Sequence, residues 1–176
     1  CQKLEYKYNN NFELFIFISI FYISIYHQLF IAWIIYSMRI QIIKYNNVDS
    51  TNNVAIRRIK KGKIQPTLII ANLQKRGRGQ YGRKWTSYRG NIFMSIYFDL
   101  KKNINIKSLS KKIYTILKKS LEKFVNERIT VKLPNDLLIK GSKVCGILQE
   151  TIIYNNNKYF IVGIGINLIK GPKIEN

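Results

Sequence analysis

The chain has 176 residues, enough for one domain with a core of its own. Lys and Arg number 30 against 9 Asp and Glu, a formal charge of +21 that points to anionic partners. Lys, Asn, Ile, Tyr and Phe are abundant together, as A/T-rich codons favour, so the charge alone does not single out nucleic acid. The cysteines, Cys1 and Cys145, lie far apart, and His27 is the lone histidine; this excludes a disulfide framework, a Cys/His metal cluster and any His-based triad that omits His27.

The first element is an apolar run over residues 14–38, "LFIFISIFYISIYHQLFIAWIIYSM", long enough to span a bilayer. It lacks the compact core and small-residue cleavage site of a signal peptide. His27 and Gln28 sit mid-run, where polar groups are costly in lipid. The chain begins with Cys, and the first Met is Met38. We read residues 1–37 as a non-native segment in preference to a membrane-like helix, and residues 38–176 as the domain.

"RIQIIKY" (39–45) alternates and is β-branched, which predicts a strand. "VDSTNN" (48–53) supplies helix N-cap residues ahead of "VAIRRIKKG", and Gly62 suits the helix end. "TLIIAN" (67–72) predicts a strand buried on both faces. A basic glycine loop follows, then a strand at "NIFMSIYFDL" (91–100). Residues 108–125 carry apolar side chains at helical spacing, with a lysine-rich opposite face. Strands are predicted at 129–133, 137–140, 143–154 and 158–168, with turns at "GS" and "NNN". The implied class is α+β, a mixed and largely antiparallel sheet with helices on one face.

Three stretches could carry chemistry. In "KRGRGQYGRKW" (75–85), Gly77, Gly79 and Gly82 free the backbone to turn N–H groups towards one anion. Arg76, Arg78, Arg83 and Lys84 add charge for a polyphosphate, and Trp85 offers a stacking face. "GRGQYG" fits the dinucleotide pattern by letter, but a strand follows it, not a helix. A solvated basic turn is the competing reading. In "VKLPNDLLIKGSKVCGILQE" (131–150), Asp136 near Lys132 and Lys143 could position an incoming amine, or could only stabilise a turn. Gly146 within an apolar strand suggests a close approach by something. In "VGIGINL" (162–168), Gly163, Gly165 and Asn167 share one face, which suits either a flat ligand or close packing of another element. No nucleophile–base pair emerges. Glycine backbone, cations and a few polar anchors suit charge stabilisation in phosphoryl or acyl-phosphate chemistry.

"VDSTN", "QKRGRGQYGRKW", "VKLPND", "KVCGILQE" and "VGIGIN", in this order, resemble the catalytic domain of the biotin protein ligases, the biotin–[acetyl-CoA-carboxylase] ligase family. The resemblance implies a fold related to class II aminoacyl-tRNA synthetases. It implies that biotin and MgATP give biotinyl-5′-AMP, and that the biotin passes to a lysine of a biotin carboxyl carrier protein. Carried over by position, Ser50, Thr51, Gln74, Gly77, Arg78, Lys143, Gly146 and Gly165 would bind biotin. Arg78, Arg83, Trp85, Asn135, Lys143 and Asn167 would bind ATP. Lys143 and Arg78 would act in catalysis, and Asp136 would orient the acceptor lysine. The cofactors implied are ATP, biotin and Mg2+, with no protein metal site. The implied location is cytoplasmic, and a membrane is not expected as a partner.

Three departures stand out. Leu133 replaces a Trp usual in the family, and Gln80 replaces an arginine of the glycine loop, which implies looser retention of the adenylate. The chain also stops soon after Asn167, which implies an incomplete catalytic domain without the family's C-terminal β-barrel. No winged-helix domain is expected ahead of residue 38, so DNA is not expected as a partner; a homodimer is left open. The alternatives are a lipoate ligase on the same fold and a basic nucleic-acid-binding protein.

Overall fold

The computed structural model describes residues 40–169 and 171. The apolar run at 14–38 and the reading of residues 1–37 lie outside the described residues.

Strand β1 (Gln41–Tyr45) leads to helix α1 (Thr51–Lys60) and strand β2 (Thr67–Ala71). β1 and β2 pair in parallel, with α1 as the crossover between them. α1 ends where Gly62 takes φ +73°, and the Lys63 N–H donates to the Arg58 carbonyl at 3.0 Å, so glycine closes the helix as its position suggests. A two-residue ribbon follows, β3 (Gly77–Arg78) with β4 (Lys84–Trp85), and then β5 (Ile92–Asp99). Helix α2 (Ile106–Leu121) starts at Asn105, whose side chain accepts the Ser108 N–H. The chain finishes as an antiparallel run of β6 (Ile129–Lys132), β7 (Asp136–Ile139), β8 (Ser142–Tyr154) and β9 (Asn157–Ile166). The turns Lys140–Gly141 and Asn155–Asn156 have positive φ at both residues, the conformation that two-residue hairpins need.

The main sheet has seven strands in the order β1-β2-β5-β9-β8-β7-β6. This is the expected α+β class, mixed and largely antiparallel. Side-chain alternation then divides the core in two. Leu68, Ile70, Met94, Phe160, Val162 and Ile164 join Leu117 and Leu121 of α2. Ile69, Ala71, Tyr97 and Ile161, their sequence neighbours, join Val54, Ala55 and Ile59 of α1. Residues adjacent in a strand point to opposite faces, so each face of the sheet carries one helix. The single helical face in the sequence reading is refined accordingly. The face with α1 also carries Gly146, Gly163 and Gly165, and it is the face on which the candidate site is built.

Candidate functional site

The site begins at the N-terminus of α1. Ser50 is its N-cap by backbone geometry, but its side chain makes no cap bond. Gln74, in the β2–β3 connection, supplies one instead: its Oε1 accepts the Thr51 N–H at 2.8 Å and lies 3.1 Å from the Thr51 hydroxyl. The connection is held beside the helix start by backbone bonds. Lys75 N donates to the Val48 carbonyl and Arg76 N to that of Asp49, each at 2.8 Å. Asp49 itself pairs with Arg57, and this guanidinium holds its carboxyl well below the usual carboxylate range.

The glycine loop is folded onto the sheet. Gly79 N donates to the Arg83 carbonyl at 2.7 Å, and a tight turn at Gln80–Gly82 places Tyr81 at φ 57° with its ring exposed. Gly77 pairs with Trp85 in the ribbon, and a Cβ there would meet the Trp85 carbonyl at 2.5 Å. The Trp85 indole lies across the sheet glycines. A Cβ on Gly165 would come within 2.5 Å of its Cζ2, and one on Gly146 would collide with its Cζ3. Gly163 serves a different neighbour, since a Cβ there would collide with Oδ1 of Asn52. Both competing readings of the bare strand face therefore apply, to different residues. Gly163 is bare to admit α1, while Gly146 and Gly165 form a flat bed that the indole covers.

Lys143 reaches this bed because of a break in register. Asp136 pairs with Gly146 and Leu137 with Cys145, but Leu138 pairs with Lys143, so Val144 is an extra residue in β8. Strict alternation from Gly146 would turn Lys143 to the opposite face. The bulge returns it to the side of Asp136. Lys143 Nζ lies 2.7 Å from Asp136 Oδ1 and 5.0 Å from the centre of the Trp85 ring. Cys145, by contrast, points into the core, and burial pushes its thiol up to about 12.

The second site cation, Arg78, donates from Nη2 to Glu150 Oε2 at 2.5 Å. That carboxylate also accepts from Asn52 Nδ2 at 2.7 Å. Asn52 is buried and Ser95 fully so; the Ser95 hydroxyl donates to Asn52 Oδ1 at 2.5 Å. Two donors nearby are buried with no hydrogen-bond partner among the described residues, Arg78 Nε and Trp85 Nε1. Unpaired buried donors are costly, and such groups mark places where a ligand or water supplies the acceptor.

Ser50, Thr51, Gln74, Arg78, Trp85, Asn135, Asp136, Lys143, Gly146 and Gly165 thus line one cavity. Three expected residues do not line it. Arg83 is exposed on the ribbon, and Gly77 is buried beneath Trp85. Asn167 lies behind Lys143, donating to its carbonyl at 3.1 Å and lying 3.3 Å from Asn91 Nδ2. The sequence reading missed Asn52, Ser95 and Glu150. Asn52 and Glu150 lie within quoted motifs, but nothing in their spacing pairs residues 98 apart. With the indole on its bed the cavity measures only about 40 Å3, room for a water molecule or so. Small organic ligands occupy pockets of about 300 Å3 or more, so one of that size has to move Trp85 or lie beside it.

A glycine bed, two cations and an indole thus converge on one cleft of a mixed sheet. Residues 44–167 match the model of the biotin/lipoate A/B protein ligase family. The chain belongs to that family. It is 34% identical over 124 residues to the bifunctional ligase/repressor BirA of Escherichia coli (strain K12), covering 69% of this chain and 38% of that protein. The biotin–[acetyl-CoA-carboxylase] ligase of Paracoccus denitrificans is 31% identical over 128 residues, covering 70% and 53%. The chain thus spans between about a third and just over half of these two relatives' length. Among solved structures, the biotin protein ligase of Aquifex aeolicus in complex with biotin and ATP superposes with a TM-score of 0.56 at 31% identity, covering 76% of this chain and 55% of that one.

Proposed function

We propose that this chain carries the activating centre of a biotin protein ligase. Biotin's carboxylate attacks the α-phosphorus of ATP, pyrophosphate leaves, and biotinyl-5′-AMP remains. A lysine amine of the biotin carboxyl carrier protein of acetyl-CoA carboxylase then attacks the acyl carbon and AMP departs. The observation that carries this reading is the meeting of Lys143 and Arg78 beside the bed of Gly146 and Gly165, under Trp85.

The roles follow from charge. The attacking carboxylate and the α-phosphate are both anionic, so their approach needs a cation between them. Lys143 is that cation, exchanging Asp136 for the reacting oxygens. Asp136, released from Lys143, becomes an acceptor that can orient the incoming lysine amine. Arg78 holds the carboxylate and phosphate side with guanidinium N–H groups that Glu150 leaves unused. Ser50, Thr51 and Gln74 present polar groups to the far end of biotin, and Gln74 does so from a position fixed by its bond to α1. Asn135 lines the nucleotide side of the cleft; Asn167 supports it from behind Lys143, and Arg83, exposed beside the ribbon, would have to reach the phosphates from outside the cavity. Mg2+ would enter on the triphosphate; among the described residues no group of three His, Cys, Asp or Glu could hold a metal ion. A cytoplasmic setting goes with this reading, and among the described residues no helix is long and apolar enough to cross a membrane.

The test is incubation of the protein with ATP labelled at the α-phosphate and either biotin or lipoate. Labelled biotinyl-AMP, and no lipoyl-AMP, is the expected product. Lipoyl-AMP alone would move the chain to the lipoate branch of the same family.

A further inference from the structure

The glycine loop is held to the sheet by a carboxylate that is itself held from below. Glu150 receives Arg78 from the loop and Asn52 from α1 on the same oxygen, Oε2. Asn52 cannot turn away. Its Nδ2 is given to Glu150, with the Leu148 carbonyl at 3.4 Å, and its Oδ1 accepts from Ser95. Gly163 leaves the space this amide needs. The line Ser95–Asn52–Glu150–Arg78 therefore runs from a fully buried strand residue to a half-exposed loop side chain. Its order of burial shows which end is fixed: the sheet and helix set Glu150, and Glu150 sets Arg78. The pairing also uses only part of the guanidinium. Nη2 is committed to Glu150, while Nε is buried with no partner among the described residues, as is the indole N–H of Trp85.

We propose that Glu150, fixed by Asn52, is the positioning residue for Arg78: it keeps the glycine loop seated and aims the unused edge of the guanidinium at an anionic ligand in the cleft. Glu150 touches no reacting atom in this arrangement and acts through Arg78. The assignment deepens the reading of the site as an activating centre and rests on it for the identity of the ligand, but not for the loop contact.

The experiment is a double-mutant cycle on the full chain with Glu150→Gln, Arg78→Met and the pair, read in two ways. The first is tryptic cleavage of the loop without added ligand, scored only at Lys75, Arg76, Arg83 and Lys84, the sites that every variant keeps. Glu150→Gln keeps an acceptor for Asn52 but loses the charge that holds Arg78. Loop cleavage should rise by about fivefold, the order expected for one charged pair at this exposure. Arg78→Met should give a similar rise, and the double variant no more than either single one. The second reading is biotin affinity by calorimetry, which should weaken by about tenfold in each single variant and not multiply in the pair. Unchanged loop cleavage in Glu150→Gln overturns the proposal, and so does cleavage that multiplies in the double variant, since Glu150 would then act on the fold independently of Arg78. If Glu150→Gln does not fold, Arg78→Met breaks the same contact from its half-exposed end, and loop cleavage unchanged there is equally fatal. A wild-type chain that binds no biotin would remove the biotin reading, while the cleavage cycle would still decide the role of Glu150.

Discussion

Trp85 and Lys143 decide what the cleft can admit. The indole covers Gly146 and Gly165, and the ammonium lies over the ring while held by Asp136. Both side chains of the Lys143–Asp136 pair are about a third exposed, so the pair adds at most about 1 kcal/mol to stability. Lys143→Met should therefore leave thermal unfolding almost unchanged. It should slow biotin-dependent ATP–pyrophosphate exchange by about a hundredfold or more, as expected for removal of a charge aimed at the reacting oxygens. A loss of folding cooperativity in place of activity would show that Lys143 is structural. Gly165→Ala tests the bed itself. Its methyl would meet the indole at 2.5 Å with sheet backbone below, so the ring has to lift. The expected result is a change in Trp85 fluorescence, read with Trp33 replaced by Phe, and weaker biotin binding, with a stability cost of about 1–3 kcal/mol.

Element by element, the approach to α1 is where electrostatics fixes geometry. Asp49 precedes the helix and pairs with Arg57 two turns on at 2.7 Å, and Asn53 donates to it at 3.0 Å. Its carboxyl is depressed in the folded state, so the unfolded chain binds the proton first as pH falls. The stabilisation is then complete above the ordinary carboxylate value of about 4 and is lost as pH drops towards the lower folded value. Arg57 is half exposed, which limits the effect to about 1 kcal/mol. The gap in denaturant midpoint between the wild type and Asp49→Asn should narrow as pH falls from 6 to 3, and a constant gap would refute the assignment. Such detail was only partly legible in the sequence. Residues that carry their own periodicity gave correct elements: α1, α2 and the long strands fall within a few residues of their expected places. The ribbon of β3 and β4 was not legible, because two-residue strands have no period to read. Nor was the parallel pairing of β1 with β2, which depends on where α1 packs. The site was legible as a set of motifs but not as a geometry. Read by alternation alone, "KVCG" turns Lys143 away from Gly146, and only the extra Val144 brings it back. Glu150 and Asn52 stayed hidden because their contact crosses 98 residues and follows from sheet order.

For the molecule as a whole, the two faces of the sheet do separate work, and that separation can be measured. One face carries α1, the glycine bed and the loop; the other carries α2 and the larger apolar cluster. Phe160 belongs to the second. It is 1% exposed and meets Phe98 edge-to-face at 5.9 Å between ring centres. Its strand also carries Gly163 and Gly165, whose side-chain positions face the other way. Phe160→Ala removes most of a buried ring from a packed layer and should cost about 3–5 kcal/mol. Close packing localises that loss, because the sheet backbone between the faces is tied by ladder bonds to β5 and β8 on either side. At a temperature where the variant remains folded, its loop cleavage and its biotin affinity should equal the wild type. Gly165→Ala should show the reverse, a smaller loss of stability with weaker binding. Unfolding midpoints and calorimetric affinities on the two variants check this directly. If Phe160→Ala also weakened biotin binding in proportion to its stability loss, the bed would have to be a product of global packing, and the division of labour between the faces would fall.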